Sequence, residues 1–196
     1  MFTQEYIEHL IHLQALDLEA GGIDYLAEDT DRQETFLFSL YGLEMPLVRK
    51  IVEKDEEYEA FAARVKENEV DPDAENCLMD QLPLMEAYAA KHPDSTDPVF
   101  CALYAGYISM QENPDQQLLQ KCYQGIVDSG MAKQGAASDR RFDLLMAAVL
   151  YLNDYPGFRD LLLKECRKNK GLCPECGGTY KGLFSKKCSG CGRPMK

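Results

Sequence analysis

Chemistry in this chain of 196 residues is concentrated in four cysteines near its C-terminus. They form two Cys-x-x-Cys turns, Cys173-Pro-Glu-Cys176-Gly-Gly and Cys188-Ser-Gly-Cys191-Gly, with eleven residues between Cys176 and Cys188. Each turn can aim two thiolates at one point about 2.3 Å from each sulfur, and the intervening stretch can bring the second pair back to the first. The expected ligand is one tetrahedral metal ion. Ligand softness favours Zn²⁺, with iron an alternative for the same donors. Glycines follow Cys176 and Cys191, where backbone amides must fold back toward sulfur in conformations that a Cβ hinders.

Other candidate chemistry is weaker. Cys77, Cys101, Cys122 and Cys166 are scattered singly through helical patterns and read as small buried apolar residues. A disulfide framework belongs to chains too small to build a core, and this one is not small. His9 and His12 lie one turn apart, four residues after Glu5 and Glu8, and are expected on the surface of a first helix. The Glu-x-x-His spacing of di-iron bundles is absent. His92, between Lys91 and Pro93, reads as a solvent-facing turn residue. Asp71, Asp73 and Glu75 alternate like a calcium loop, but Asn76 stands at the sixth position and Leu82 at the twelfth, which excludes it. Neither a phosphate-cradling glycine loop, a His-Glu-x-x-His pair nor a serine elbow occurs. No catalytic residue is nominated, and a non-enzyme is the expectation.

Elements of two kinds must position these groups. Residues 4–20 place Ile7, Leu10, Ile11, Leu13 and Leu16 on an apolar stripe that ends at Gly21-Gly22. A short helix is expected from Thr30 or Asp31 to Gly42. A longer one opens at Pro46 and runs to about Asn68, with Val48, Ile51, Val52, Tyr58, Phe61 and Val65 inward. Its outer acids Glu53, Asp55, Glu56, Glu57 and Glu59 read as a solvated face. Another helical stretch begins at Asp71-Pro-Asp, is kinked or restarted at Pro83, and ends near Pro93. No two-residue alternation precedes the tail.

An internal correspondence follows. A shift of 42 residues pairs Asp97 with Asp139, Phe100 with Phe142, Leu103 with Leu145, Ala105-Gly106 with Ala147-Ala148, and Pro114 with Pro156. With two extra residues, Leu118, Leu119 and Cys122 match Leu162, Leu163 and Cys166. Each unit reads as two amphipathic helices around a proline turn. Over residues 97–168 this resembles the helical hairpins of tetratricopeptide-like and HEAT-like solenoids, although the period exceeds the tetratricopeptide's. The expected fold is all-α: a helical-hairpin bundle or short α-solenoid over residues 1–169, followed by a small module at 170–196.

That module resembles a zinc ribbon, carried by Cys173, Cys176, Cys188 and Cys191, by Pro174 and Pro194, and by a hairpin around Gly182. The resemblance implies one closed, structural Zn²⁺ and a segment that does not fold without it.

Charge separates the two parts. Residues 1–163 hold 12 Lys+Arg and 31 Asp+Glu, a net of −19, whereas residues 164–196 hold 9 and 2, a net of +7. The body should repel nucleic acid, and only the tail can attract it. Tyr180, Lys181, Phe184, Lys186, Lys187 and Arg193 could contact phosphates and bases, or an acidic partner. The same lysines also offset the charge of four thiolates, and the two aromatics cover the hairpin, which accounts for them with no ligand at all. No apolar run approaches the roughly 20 residues of a membrane span, and the N-terminus has no basic residue ahead of its apolar positions. The functional expectation is a cytoplasmic, non-enzymatic interaction or adaptor protein with a protein partner. The alternative is a nucleic-acid-binding protein acting through its basic tail.

Overall fold

A computed structural model describes residues 1–27, 78–133, 139–183 and 185–195, with backbone alone for 78–84. Six helices lie among them: α1 (Gln4–Ala20), α2 (Leu78–Lys91), α3 (Pro98–Ser109), α4 (Gln116–Ser129), α5 (Arg140–Leu152) and α6 (Phe158–Asn169). The only strands among the described residues are β1 (Tyr180–Lys181) and β2 (Lys187–Cys188). The fold is mostly helical, and the strands fall within the tail.

Short polar side chains start the helices by satisfying their unpaired first amides. Thr3 Oγ1 accepts from the Tyr6 amide at 3.2 Å, and Asp97 Oδ1 accepts from the Phe100 amide at 2.9 Å. Asp115 caps α4 through the Gln117 amide, and Asp139 caps α5 through the Arg141 amide, each at 2.9 Å. Asp97 and Asp139, matched by the 42-residue shift, thus do the same work on α3 and α5. α1 buries Ile7, Leu10 and Ile11 of its expected stripe, but Leu16 is 44% exposed, and Gln14, Ala15 and Leu18 are buried in its place because the helix is covered on that side by two neighbours.

Packing centres on α5. It is buried on nearly every side, from Phe142 through Tyr151, because it meets α1, α3 and α6. Ala147 and Ala148 keep its surface low where neighbours approach. α3 packs on both α4 and α5, and its Ala102, Ala105 and Gly106 are likewise buried. Gly125 of α4 lets that helix close on α3, since a Cβ there would lie 3.1 Å from the Cys101 sulfur. Met85 of α2 is buried, and the Tyr88 ring lies 4.5 Å from that of Phe100.

The two halves of the 42-residue correspondence pack differently. α3 and α4 form a close pair, whereas α5 and α6 touch sparingly and α1 packs against both. α6 buries only a narrow stripe, Phe158, Leu162 and Cys166, and α1 presents a longer apolar face to cover it. The apolar residues of α1 through α6 form one continuous core.

The structure narrows two further expectations. Of the two outcomes expected at Pro83, a kink or a restart, the restart is excluded: α2 runs through the proline, which forfeits one backbone bond but keeps a helical φ. His9 is only 25% exposed, because its Nε2 turns toward the buried Asp143 of α5, as described below. The helices expected at 30–41 and 46–68, the acids at 53–59, the carboxylates of 71–75 and Cys77 lie outside the described residues. Cys101, Cys122 and Cys166 are buried, as their apolar surroundings predict.

Candidate metal centre

Three residues join α6 to the first cysteine. The helix ends with the Leu172 amide bonded to the Arg167 carbonyl at 2.9 Å, which turns the chain back toward the helix side. The two cysteine turns then repeat one pattern fifteen residues apart. The Cys173 amide donates to the Gly178 carbonyl at 2.9 Å, and the Gly177 amide to the Cys173 carbonyl at 2.8 Å. In the second turn the Cys188 amide donates to the Arg193 carbonyl at 2.8 Å, and the Gly192 amide to the Cys188 carbonyl at 3.0 Å. Gly177 and Gly192 have φ of 71° and 75°, the left-handed conformation expected of glycines following Cys176 and Cys191. A two-residue antiparallel ladder pairs Tyr180 with Cys188 and Lys181 with Lys187, bringing the second turn beside the first.

The four sulfurs meet as a result. Cys173 and Cys191 Sγ are 3.6 Å apart, Cys176 and Cys188 Sγ are 3.3 Å apart, and all four lie within 4.8 Å of one another. A tetrahedron with metal–sulfur bonds of about 2.3 Å has sulfurs about 3.8 Å apart, inside that spread. Cys173 and Cys188 are buried while Cys176 and Cys191 are exposed, so the cluster has one covered and one open side.

Backbone amides favour thiolate at two of the four positions. Amides of Cys176 and Glu175 point at the Cys173 sulfur and hold its pKa down to about 6. Those of Cys191 and Gly190 lower Cys188 in the same way, with the Gly190 nitrogen 3.4 Å from sulfur. At Cys176 the Gly178 amide also lowers the pKa, but the sulfurs of Cys188 and Cys191 outweigh it and raise the thiol to about 12. Four sulfurs this close cannot all ionise without a cation among them. The donor set therefore fits a soft metal ion.

The remaining tail residues fall into separate groups. Lys181, Lys186 and Lys187 are exposed on the hairpin, and Leu183 at its tip is 95% exposed. Arg193 is committed to Glu175, with Nη1 3.3 Å from the carboxylate. Tyr180 is half-buried rather than a free stacking face; desolvation, then hydrogen bonding with the Cys173 sulfur, raises its pKa. Phe184 lies outside the described residues.

Sequence spacing did not point to Arg167 or Gly178. Arg167 Nη1 donates from α6 to the Pro174 carbonyl at 3.1 Å and the Glu175 carbonyl at 3.3 Å. A Cβ on Gly178 would sit 2.8 Å from the Cys188 sulfur and 3.2 Å from the Gly190 nitrogen, so no larger residue fits there. The second glycine after Cys176 was the only signal available for the latter. For Arg167 there was none beyond its place in a basic run.

A second polar cluster, also unread from sequence, joins α1 to α5. The Asp143 carboxylate is 1% exposed and accepts from the Tyr6 hydroxyl at 2.9 Å, while His9 Nε2 lies 3.0 Å from its other oxygen. Desolvation, followed by the Asp143 charge, raises the Tyr6 pKa well above its ordinary value, so the phenol stays a donor. Each member bonds another, and the cluster joins two helices. His12, by contrast, is exposed and pairs through Nδ1 with Glu165 of α6 at 3.1 Å.

No known family matches the chain, and neither a curated protein nor a solved structure does.

Proposed function

We propose that this chain is a non-enzymatic interaction protein, in which a helical body carries a closed Zn²⁺ module of the zinc-ribbon type that docks on the body and presents its hairpin to a protein partner. The observation that carries this reading is the convergence of Cys173, Cys176, Cys188 and Cys191 to within 4.8 Å. Four thiolates saturate a tetrahedral ion, which makes the metal a structural support rather than a reaction centre. The hairpin that it supports has an exposed leucine, Leu183, between Lys181 and Lys186, an apolar tip in a basic frame suited to an acidic protein surface. Zinc is preferred on the softness and geometry of the donors.

Elemental analysis of reduced, purified protein tests the metal, with one zinc equivalent expected. Capture on the full chain, compared with Leu183→Glu and with Lys186→Glu/Lys187→Glu, tests the surface. A partner retained equally by all three forms overturns the assignment to the hairpin.

The exposed lysines favour a second reading, nucleic-acid binding through the tail. Binding of labelled RNA or DNA that weakens steeply with salt and is lost in Lys186→Glu/Lys187→Glu supports it. No binding at low salt removes it.

A further inference from the structure

The metal module is tied to α6 by more than the chain. Arg167, in the last turn of α6, places one guanidinium nitrogen against two successive carbonyls of the first cysteine turn, Pro174 and Glu175. Its Nε lies 3.4 Å from where a Cβ on Gly177 would stand, so the side chain lies flat along that turn. Glu175 is held from both directions: Lys164 of α6 reaches it at 3.7 Å, and Arg193 of the second turn at 3.3 Å. Beside these contacts runs a cleft of about 510 Å³ between α1 and α6. Ile11 and His12 line it from α1, Leu161 and Lys168 from α6, and Pro174 of the cysteine turn forms part of its wall.

These contacts depend on the shape of residues 173–178. Two neighbouring carbonyls point at one guanidinium because the turn wraps around its sulfurs, which a bound ion would hold together. We propose that metal occupancy controls the last turns of α6 and the cleft between α1 and α6, with Arg167 transmitting the state of the cysteine cluster to the helix. This rests on the metal-binding reading above. With metal bound, Arg167 clamps the turn and Pro174 closes the cleft. With metal lost, the carbonyls disperse, the clamp opens, and Leu161 and Ile11 gain exposure. The tail is then a device that reports metal supply to the helical body.

The test is amide hydrogen exchange on the full chain in three forms: zinc-loaded, chelator-stripped, and zinc-loaded Arg167→Met. Stripping should accelerate exchange about tenfold or more in residues 161–169 and 8–15 while leaving 98–129 unchanged. Zinc-loaded Arg167→Met should keep its full metal content and yet exchange like the stripped protein over 161–169. If its protection over 98–129 also falls, Arg167→Gln serves instead: its side chain is too short to reach the two carbonyls, and it should exchange faster than wild type over 161–169. Unchanged protection of 161–169 on stripping overturns the proposal, as does wild-type protection in the folded, zinc-loaded Arg167 variant. Wild-type protein that takes up no zinc overturns the metal reading itself, a result separable from these by the metal content alone.

Discussion

At the scale of single residues, two positions carry consequences out of proportion to their size. Gly178 leaves space for the second cysteine turn to approach the first, since a Cβ would overlap the Cys188 sulfur at 2.8 Å. Gly178→Ala should weaken metal binding about 10- to 100-fold, the range for groups that support ligands. Competition with a chromogenic chelator measures this, and unaltered affinity contradicts the packing described. Asp143 is the second position. Removing it strands the buried Tyr6 hydroxyl and frees His9, so Asp143→Ala should cost about 3 kcal/mol in urea denaturation. Asp143→Asn keeps an acceptor for Tyr6 and should cost clearly less; equal losses would show that the bond to Tyr6 contributes nothing. Neither role was legible in the sequence. Asp143 reads as an ordinary first-turn acid of α5, and only the crossing of α1 reveals why a carboxylate is buried there.

At the scale of elements, the seam between α1 and α6 is polar along one edge. Burial of Glu165 acts to raise its pKa, but hydrogen bonds from His12 and Lys168 more than offset this and hold the carboxyl below its ordinary value of 4.5. A depressed folded-state pKa contributes stability that is present above the unfolded value and lost as pH falls through the folded one. Stability of the native chain should therefore decline more steeply below about pH 4.5 than that of Glu165→Gln. Parallel curves in denaturation at stepped pH would exclude the contribution. Helix α1 itself was readable from its apolar spacing and its glycine stop, because both are local properties. Its place between α5 and α6 was not: the 42-residue correspondence suggests two equivalent hairpins, and the narrow apolar stripe of α6 alone does not say which helix covers it.

At the scale of the whole molecule, α5 joins the α3–α4 pair to the α1–α6 pair through one core. The helices should unfold together. Leu10→Ala in α1 and Leu103→Ala in α3, both at fully buried positions, should each destabilise the same single transition by about 2–5 kcal/mol. Two separate transitions, each sensitive to one substitution, would show that the halves are independent. The charge division has a counterpart at this scale too. Lys164, Arg167 and Lys170 of the basic tail segment turn toward the cysteine turn and toward Asp24, whereas the hairpin lysines remain exposed.

By itself the sequence determined the helical character of the body, the equivalence of Asp97 and Asp139, and the four cysteines that could hold a metal ion. Each of these follows from spacing within a few residues, or from a side chain's reach to its own backbone. Tertiary structure alone decided that Arg167 grips the first cysteine turn, that His9 and Tyr6 share a buried carboxylate, and that α1 lies against both α5 and α6. Those are meetings between groups distant in the chain, chosen by which apolar faces must be covered at once, and no local pattern encodes that choice.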